Sequence, residues 1–174
     1  MRESGAPRSP AAAGWWSTKV RQFARHVRAR VSAEERAGLE GWLTPAQLAL
    51  FDAMHIADRR HGLDVVMTLR AEGATDPELL LAGLLHDAAK GDTGVVPRVL
   101  FSLGQRYGSS IWRVAPLLPG GEPAIERLRG HAAASARLCE AAGCSPRTVA
   151  LIRDQDAPRD PEFGELLRLA DEAN

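Results

Sequence analysis

Cysteine is scarce in this chain: Cys139 and Cys144 are the only two in 174 residues, and they form no CxxC pair. Two thiols exclude a disulfide framework and fit a reducing, cytoplasmic compartment. Long apolar runs are missing too. None approaches the roughly twenty residues that span a bilayer, and the short stretch from Ala11 to Trp16 runs into charge, so neither a membrane span nor a secretory leader is expected. There is no excess charge of one sign: 22 Lys and Arg balance 22 Asp and Glu. The whole chain therefore lacks the electrostatic footprint of a nucleic-acid binder. Aromatic residues are few, at 5%, and neither strand alternation nor an internal repeat is present. Gly120-Gly121 is a turn signal without the spacing of a phosphate-binding loop.

What is there is helical pattern. The Ala- and Leu-rich composition favours an all-α protein, an irregular helical bundle rather than a heptad coil. Residues 1–14 are rich in Pro, Gly, Ser and Ala and are expected to be a disordered tail. Residues 15–43 are read as a basic amphipathic helical extension. Trp16, Val20, Phe23, Val27 and Val31 form its stripe, and Lys19, Arg21, Arg25, Arg28 and Arg30 crowd its other face. Such a helix docks on the domain core or, alternatively, meets a membrane surface or nucleic acid. The tryptophans Trp15 and Trp16 offer a self-contact, with oligomeric state left open.

Residues 44–174 are expected to form the main domain. Thr44-Pro45 caps a helix with Leu48, Phe51 and Met54 inside. A second helix, beginning near Asp58, carries His61, Val65 and Leu69 and stops at Gly73. Thr75-Asp76-Pro77-Glu78 opens a helix that is apolar all round from Leu79 to Leu85, the mark of a central helix, and Gly91 is its expected stop. Val95 to Tyr107 reads as a helix, and Pro116 to Gly121 as a loop. Pro123 to Ala142 is the next helix, with Ile125, Leu128, Ala132, Ser135, Leu138 and Ala142 inward. Ser145-Pro146 caps a short helix, and Asp160-Pro161 caps the last, whose inner stripe is Phe163, Leu167 and Ala170.

The chemistry concentrates in four residues. His86 and Asp87 are adjacent at the end of the central helix, where side chains diverge by roughly 100° yet share one ion placed over the ridge between them. Asp171 continues the inward stripe of the last helix, and a carboxylate aimed at a core is costly unless it is paired or metal-bound. His61 lies one turn before Val65 and one after Ala57, in the same inward phase. Two imidazoles and two carboxylates suit Mn²⁺, Fe²⁺, Co²⁺, Ni²⁺ or Zn²⁺. Lys90, one turn past His86, is placed to compensate the helix C-terminus. His131 borders an inner stripe. His26 and His55 lack such support and are read as structural or solvated.

The ordered set of His61, His86-Asp87 and Asp171 resembles the HD-domain superfamily of metal-dependent phosphohydrolases, over roughly Leu48 to Asn174. Asp58-Arg59-Arg60-His61-Gly62-Leu63-Asp64-Val65 is similar to the family's first-histidine helix. Leu84-Leu85-His86-Asp87-Ala88-Ala89-Lys90 is similar to its His-Asp helix, and Leu167-Arg168-Leu169-Ala170-Asp171 to its last-ligand helix. The resemblance implies a fold of the HD type and one divalent ion (Mg²⁺ included) held by His61, His86, Asp87 and Asp171. It also implies a water activated for attack on phosphorus. Asp87 would orient that water, and Lys90 and His131 would contact phosphate. Gly130-His131-Ala132 is similar to the dinuclear branch of the family, but Asp154-Gln155-Asp156 stands where that branch expects a His pair, which favours one ion over two. The Gly-Tyr-Pro signature of cyclic-dinucleotide phosphodiesterases is absent.

The expected function is therefore phosphohydrolysis of a nucleotide or other small phosphate ester. The alternative is a catalytically weak module of the same type that binds a nucleotide or a protein partner in a regulatory role. A third, oxidative reading needs two irons, and Gln155 argues against it.

Overall fold

The computed structural model describes residues 29–174, and every regular element among them is a helix. In chain order these are α1 (Ala33–Leu39), α2 (Pro45–Ala53), α3 (Ile56–Ala71), α4 (Pro77–Leu85), α5 (Val95–Tyr107), a 3₁₀ helix (Ser109–Leu117), α6 (Gly121–Ala141), α7 (Pro146–Arg153) and α8 (Gly164–Ala173). The expected all-α bundle is what forms. Residues 1–14, the stripe from Trp16 to Val27 and His26 lie outside the described residues. Val31 falls within them, just ahead of Ser32, which caps α1, and it packs on the main core.

Local chemistry starts the helices. Thr44 accepts from the backbone of Gln47 while the Gln47 side chain accepts from the backbone of Thr44, a reciprocal capping box. Asp76 accepts from the N–H groups of Glu78 and Leu79, and Ser145 from that of Thr148. In all three helices proline follows at the first position, where its missing N–H costs nothing.

Helix α4 is the axis of the bundle, packed by α3, α7 and α8. Leu79, Leu84 and Leu85 are fully buried there with Phe51, Val65 and Ile152. Two glycines set how closely α3 and α4 approach. A Cβ at Gly62 would lie 2.3 Å from the Leu84 carbonyl oxygen, and one at Gly83 would lie 2.9 Å from Leu69 Cδ1. Only glycine lets the helices meet at that distance.

A second, smaller cluster joins α5, the 3₁₀ helix and the first half of α6 around Leu100, Ala115, Ile125 and Leu128. Phe101 and Trp112 stack at 5.3 Å within it. Besides the shared helix α6, one link to the main core is ionic: Arg98 on α5 donates to both carboxylate oxygens of buried Asp58 on α3, at 2.8 and 3.1 Å.

Four expectations need correction. The central helix stops at Leu85, not near Gly91. His86 to Lys90 continue as tight turns, with Ala88 N–H bonded to the Leu85 carbonyl and Lys90 N–H to that of Asp87. Pro116 sits inside a 3₁₀ helix rather than a loop. Leu138 is 41% exposed, not inward. Asp160 caps the turn before the last helix, accepting from the N–H groups of Glu162 and Phe163, and α8 itself begins at Gly164.

Candidate metal centre

Four of the singled-out residues arrive from three elements. His61 comes from α3, His86 is the terminal cap of α4, Asp87 follows it in the turn, and Asp171 comes from α8. The close approach at Gly62 carries the neighbouring His61 to His86, with ring centroids 5.1 Å apart. One nitrogen from each of these rings and a carboxylate oxygen of Asp171 lie within 4.8 Å of one another, a group of the kind that holds a metal ion. His61 Nε2 is 2.8 Å and His86 Nε2 3.3 Å from Asp171 Oδ1. Asp87 enters from the side, its Oδ2 3.6 Å from His86 Nε2 and 3.9 Å from His61 Nε2.

The turn at His86 is fixed from several directions. His86 Nδ1 lies 2.9 Å from the Gly83 carbonyl oxygen. A carbonyl only accepts, so Nδ1 carries the hydrogen and Nε2 is left facing the carboxylates. Ser135 on α6 accepts from the N–H of Ala89 at 2.9 Å, which holds the turn against α6. Lys90 reaches back to Asp87 Oδ2 at 2.6 Å.

His131 is arranged in the same way. Its Nδ1 donates to the Leu128 carbonyl at 2.6 Å, and its Nε2 lies 3.4 Å from Asp87 Oδ1. The buried Gln155 amide donates to that Nε2 at 3.2 Å. Gln155 thus meets His131 at the same nitrogen that faces Asp87.

The electrostatics of the cluster are those of carboxylates kept charged by neighbouring cationic groups. Burial alone would raise the Asp87 carboxyl, but Lys90 and the imidazoles of His86, His131 and His61 hold it well below its ordinary value. Asp171 follows the same pattern: burial opposes ionisation, and the hydrogen bond from His61 and the neighbouring His86 imidazole overcome it. Burial would lower His86, yet Asp87 and Asp171 raise it to about 9. Lys90 is also raised, because the attraction of Asp87 and Asp171 outweighs its burial.

The donors fit a divalent ion. His86 Nε2 and Asp87 Oδ1 are buried and have no hydrogen-bond partner, and an orphaned buried polar atom costs about 1–3 kcal/mol. A nitrogen beside two carboxylate oxygens favours a cation there, which without metal is the proton that keeps His86 charged, and the Nδ1–H to carbonyl bond is the outer-sphere contact that orients a ligating histidine.

Asp58, Ser135 and Gln155 support the site, and sequence reasoning had not given them these roles. An acid three residues before His61 and an inward hydroxyl on α6 were the available signals. His55 caps α3 through Nδ1, accepting from the N–H of Ala57. Among the described residues no helix is long and apolar enough to cross a membrane. No family model matches the chain, nor does any curated protein or solved structure.

Proposed function

We propose that this chain is a metal-dependent phosphohydrolase of the HD-domain type, acting in the cytoplasm on a nucleotide or another small phosphate ester. The observation that carries the reading is His86 Nε2, buried and unpartnered, with Asp171 Oδ1 at 3.3 Å and Asp87 Oδ2 at 3.6 Å. That arrangement calls for a cation shared by both histidines and both carboxylates.

His61, His86 and Asp171 would hold the ion, with Asp87 completing the set. A bound divalent ion supplies Lewis acidity to a phosphoryl oxygen and makes water a nucleophile near neutral pH. Asp87 Oδ1, the oxygen that Lys90 leaves free, accepts a proton of the attacking water and aims it. Lys90 spends one N–H on Asp87 and has two left for phosphoryl oxygens. His131, whose Nε2 lies 3.4 Å from Asp87 Oδ1, would contact the phosphate beside that carboxylate.

A second reading draws on the Lys90–Asp87 pair itself. An ammonium 2.6 Å from a ligand oxygen competes with a metal for it, which suits a module that binds a nucleotide without turning it over.

The test is metal analysis of protein purified without chelator, followed by phosphate release across a nucleotide panel with Mn²⁺, Mg²⁺ or Co²⁺. Stoichiometric metal that His86→Ala abolishes, with turnover that Asp87→Ala lowers about 10²–10⁴-fold, supports the enzyme. Metal content well below stoichiometric and unchanged by His86→Ala sinks it, and tight nucleotide binding with no turnover selects the regulatory module.

A further inference from the structure

The two cysteines, five residues apart in the sequence, meet at one helix end. Helix α6 closes in a Schellman turn: the Cys144 N–H bonds the Cys139 carbonyl and the Gly143 N–H bonds that of Glu140, both at 3.0 Å, with Gly143 at φ +75°. In such a turn the third-last helical residue and the second residue past the cap are side-chain neighbours, commonly an apolar pair. Here both positions hold thiols. A backbone hydrogen bond running directly between the two residues keeps their Cα atoms within the reach of a disulfide.

The thiols are not equivalent. Cys139 is fully buried and Cys144 is partly exposed. The interaction of the two thiols pulls Cys144 below its ordinary value and, with burial, pushes Cys139 up. The buried Gln47 amide donates to the Cys144 sulfur at 3.8 Å, which favours the thiolate further. Cys139 has the Leu85 carbonyl as a second, distant acceptor at 4.0 Å. One thiol meets solvent as the better nucleophile, and the other stands behind it.

We propose that Cys139 and Cys144 form a redox modification site in which Cys144 reduces a hydroperoxide and Cys139 resolves the product as an intramolecular disulfide. The Cys144 thiolate attacks a peroxide oxygen; an S–O bond forms, the O–O bond breaks, and hydroxide leaves to be protonated to water. The Cys139 sulfur then attacks the Cys144 sulfenic acid. The S–S bond forms, the S–O bond breaks, and the departing hydroxide takes the Cys139 proton as water. Two electrons pass from the sulfurs to hydrogen peroxide, giving one disulfide and two waters. The site is independent of metal binding and of any phosphatase activity.

The experiment is exposure of the full chain to equimolar hydrogen peroxide, then alkylation under denaturing conditions and intact mass measurement. The expected product is a monomer that has lost two hydrogens, takes up no alkylating agent, and regains two alkylatable thiols with dithiothreitol. In Cys139→Ala, which leaves the exposed thiol in place, Cys144 should accumulate as a dimedone-reactive sulfenic acid. In Cys144→Ser, Cys139 should stay reduced. Far-ultraviolet circular dichroism checks that each variant is folded, and wild-type protein carries the decision if one is not. Wild-type protein that keeps both thiols, gains oxygen atoms at Cys144 without cross-linking, or links only between molecules overturns the proposal.

Discussion

The two hydrophobic clusters of this molecule are built to different standards. The one around α4 buries Phe51, Leu79, Leu84, Leu85 and Ile152 completely and draws on seven helices. The one beneath α5 and the 3₁₀ helix has four buried residues and leaves Val96, Val99, Tyr107, Val114 and Leu117 between 45% and 82% exposed. His61, His86, Asp87 and Asp171 all stand on the first. The lesson is a division of labour: the candidate ligands, which would have to hold position within tenths of an ångström to share an ion, rest on the deep core, while the neighbouring face tolerates slack. Rigid support of this kind is what a metal-ligating set requires.

Core truncations test the contrast most severely. Leu84→Ala should cost about 3–5 kcal/mol, since the packed surroundings of α4 have little room to collapse into the space. Leu100→Ala should cost about 2 kcal/mol, near the lower end for such changes, because its cluster is thin and open to solvent on one side. Urea denaturation of both variants measures the difference, and equal losses would erase the distinction between the two clusters.

The link between the clusters comes next. Asp58→Ala leaves Arg98 without the carboxylate it grips and should cost about 2–3 kcal/mol, less than a fully buried pair because Arg98 is partly exposed. Amide hydrogen exchange should show α5 losing protection while α3 and α4 keep theirs. Loss of protection throughout would mean that the two clusters fold as one unit.

The smallest effect concerns the outer rim of the deep core, where Arg147 clamps Asp160 at 2.8 and 3.1 Å. The guanidinium and the N–H of Phe163 hold the Asp160 carboxyl well below its ordinary value. A folded value depressed below an unfolded one near 3.9 contributes stability above that pH, lost as pH falls through the folded value. Asp160→Asn should therefore flatten the acid side of the melting-temperature profile below about pH 4 and lower the melting temperature slightly at neutral pH, as befits an exposed pair.

Much of this could be read from the letters because it is local. Thr44-Pro45, Asp76-Pro77 and Ser145-Pro146 announce helix starts through caps that depend on three or four neighbours. The inward phase of His61 and Asp171 follows from a helical period. The stop at Leu85 could not be read that way, since Ala88, Ala89 and Lys90 are all good helix formers. That turn is imposed from outside by Ser135, forty-six residues away, and by the pull of Lys90 on Asp87. The partnership of Asp58 with Arg98 and the meeting of the two thiols were hidden for related reasons. The first spans forty residues, and the second depends on a left-handed glycine at position 143.

Position 62 carries a consequence for how such a chain can vary. With a backbone oxygen 2.3 Å from where a side chain would begin, its alphabet has one letter, and no rotamer adjustment elsewhere enlarges it. A random library across α3 would therefore sort into two populations at that codon alone: glycine clones that retain the spacing of the histidines, and all others, pried apart at the point where His61 meets His86. Breadth of substitution at residue 62 is thus a direct gauge of whether selection is acting on the interhelical gap, obtainable by sequencing the survivors.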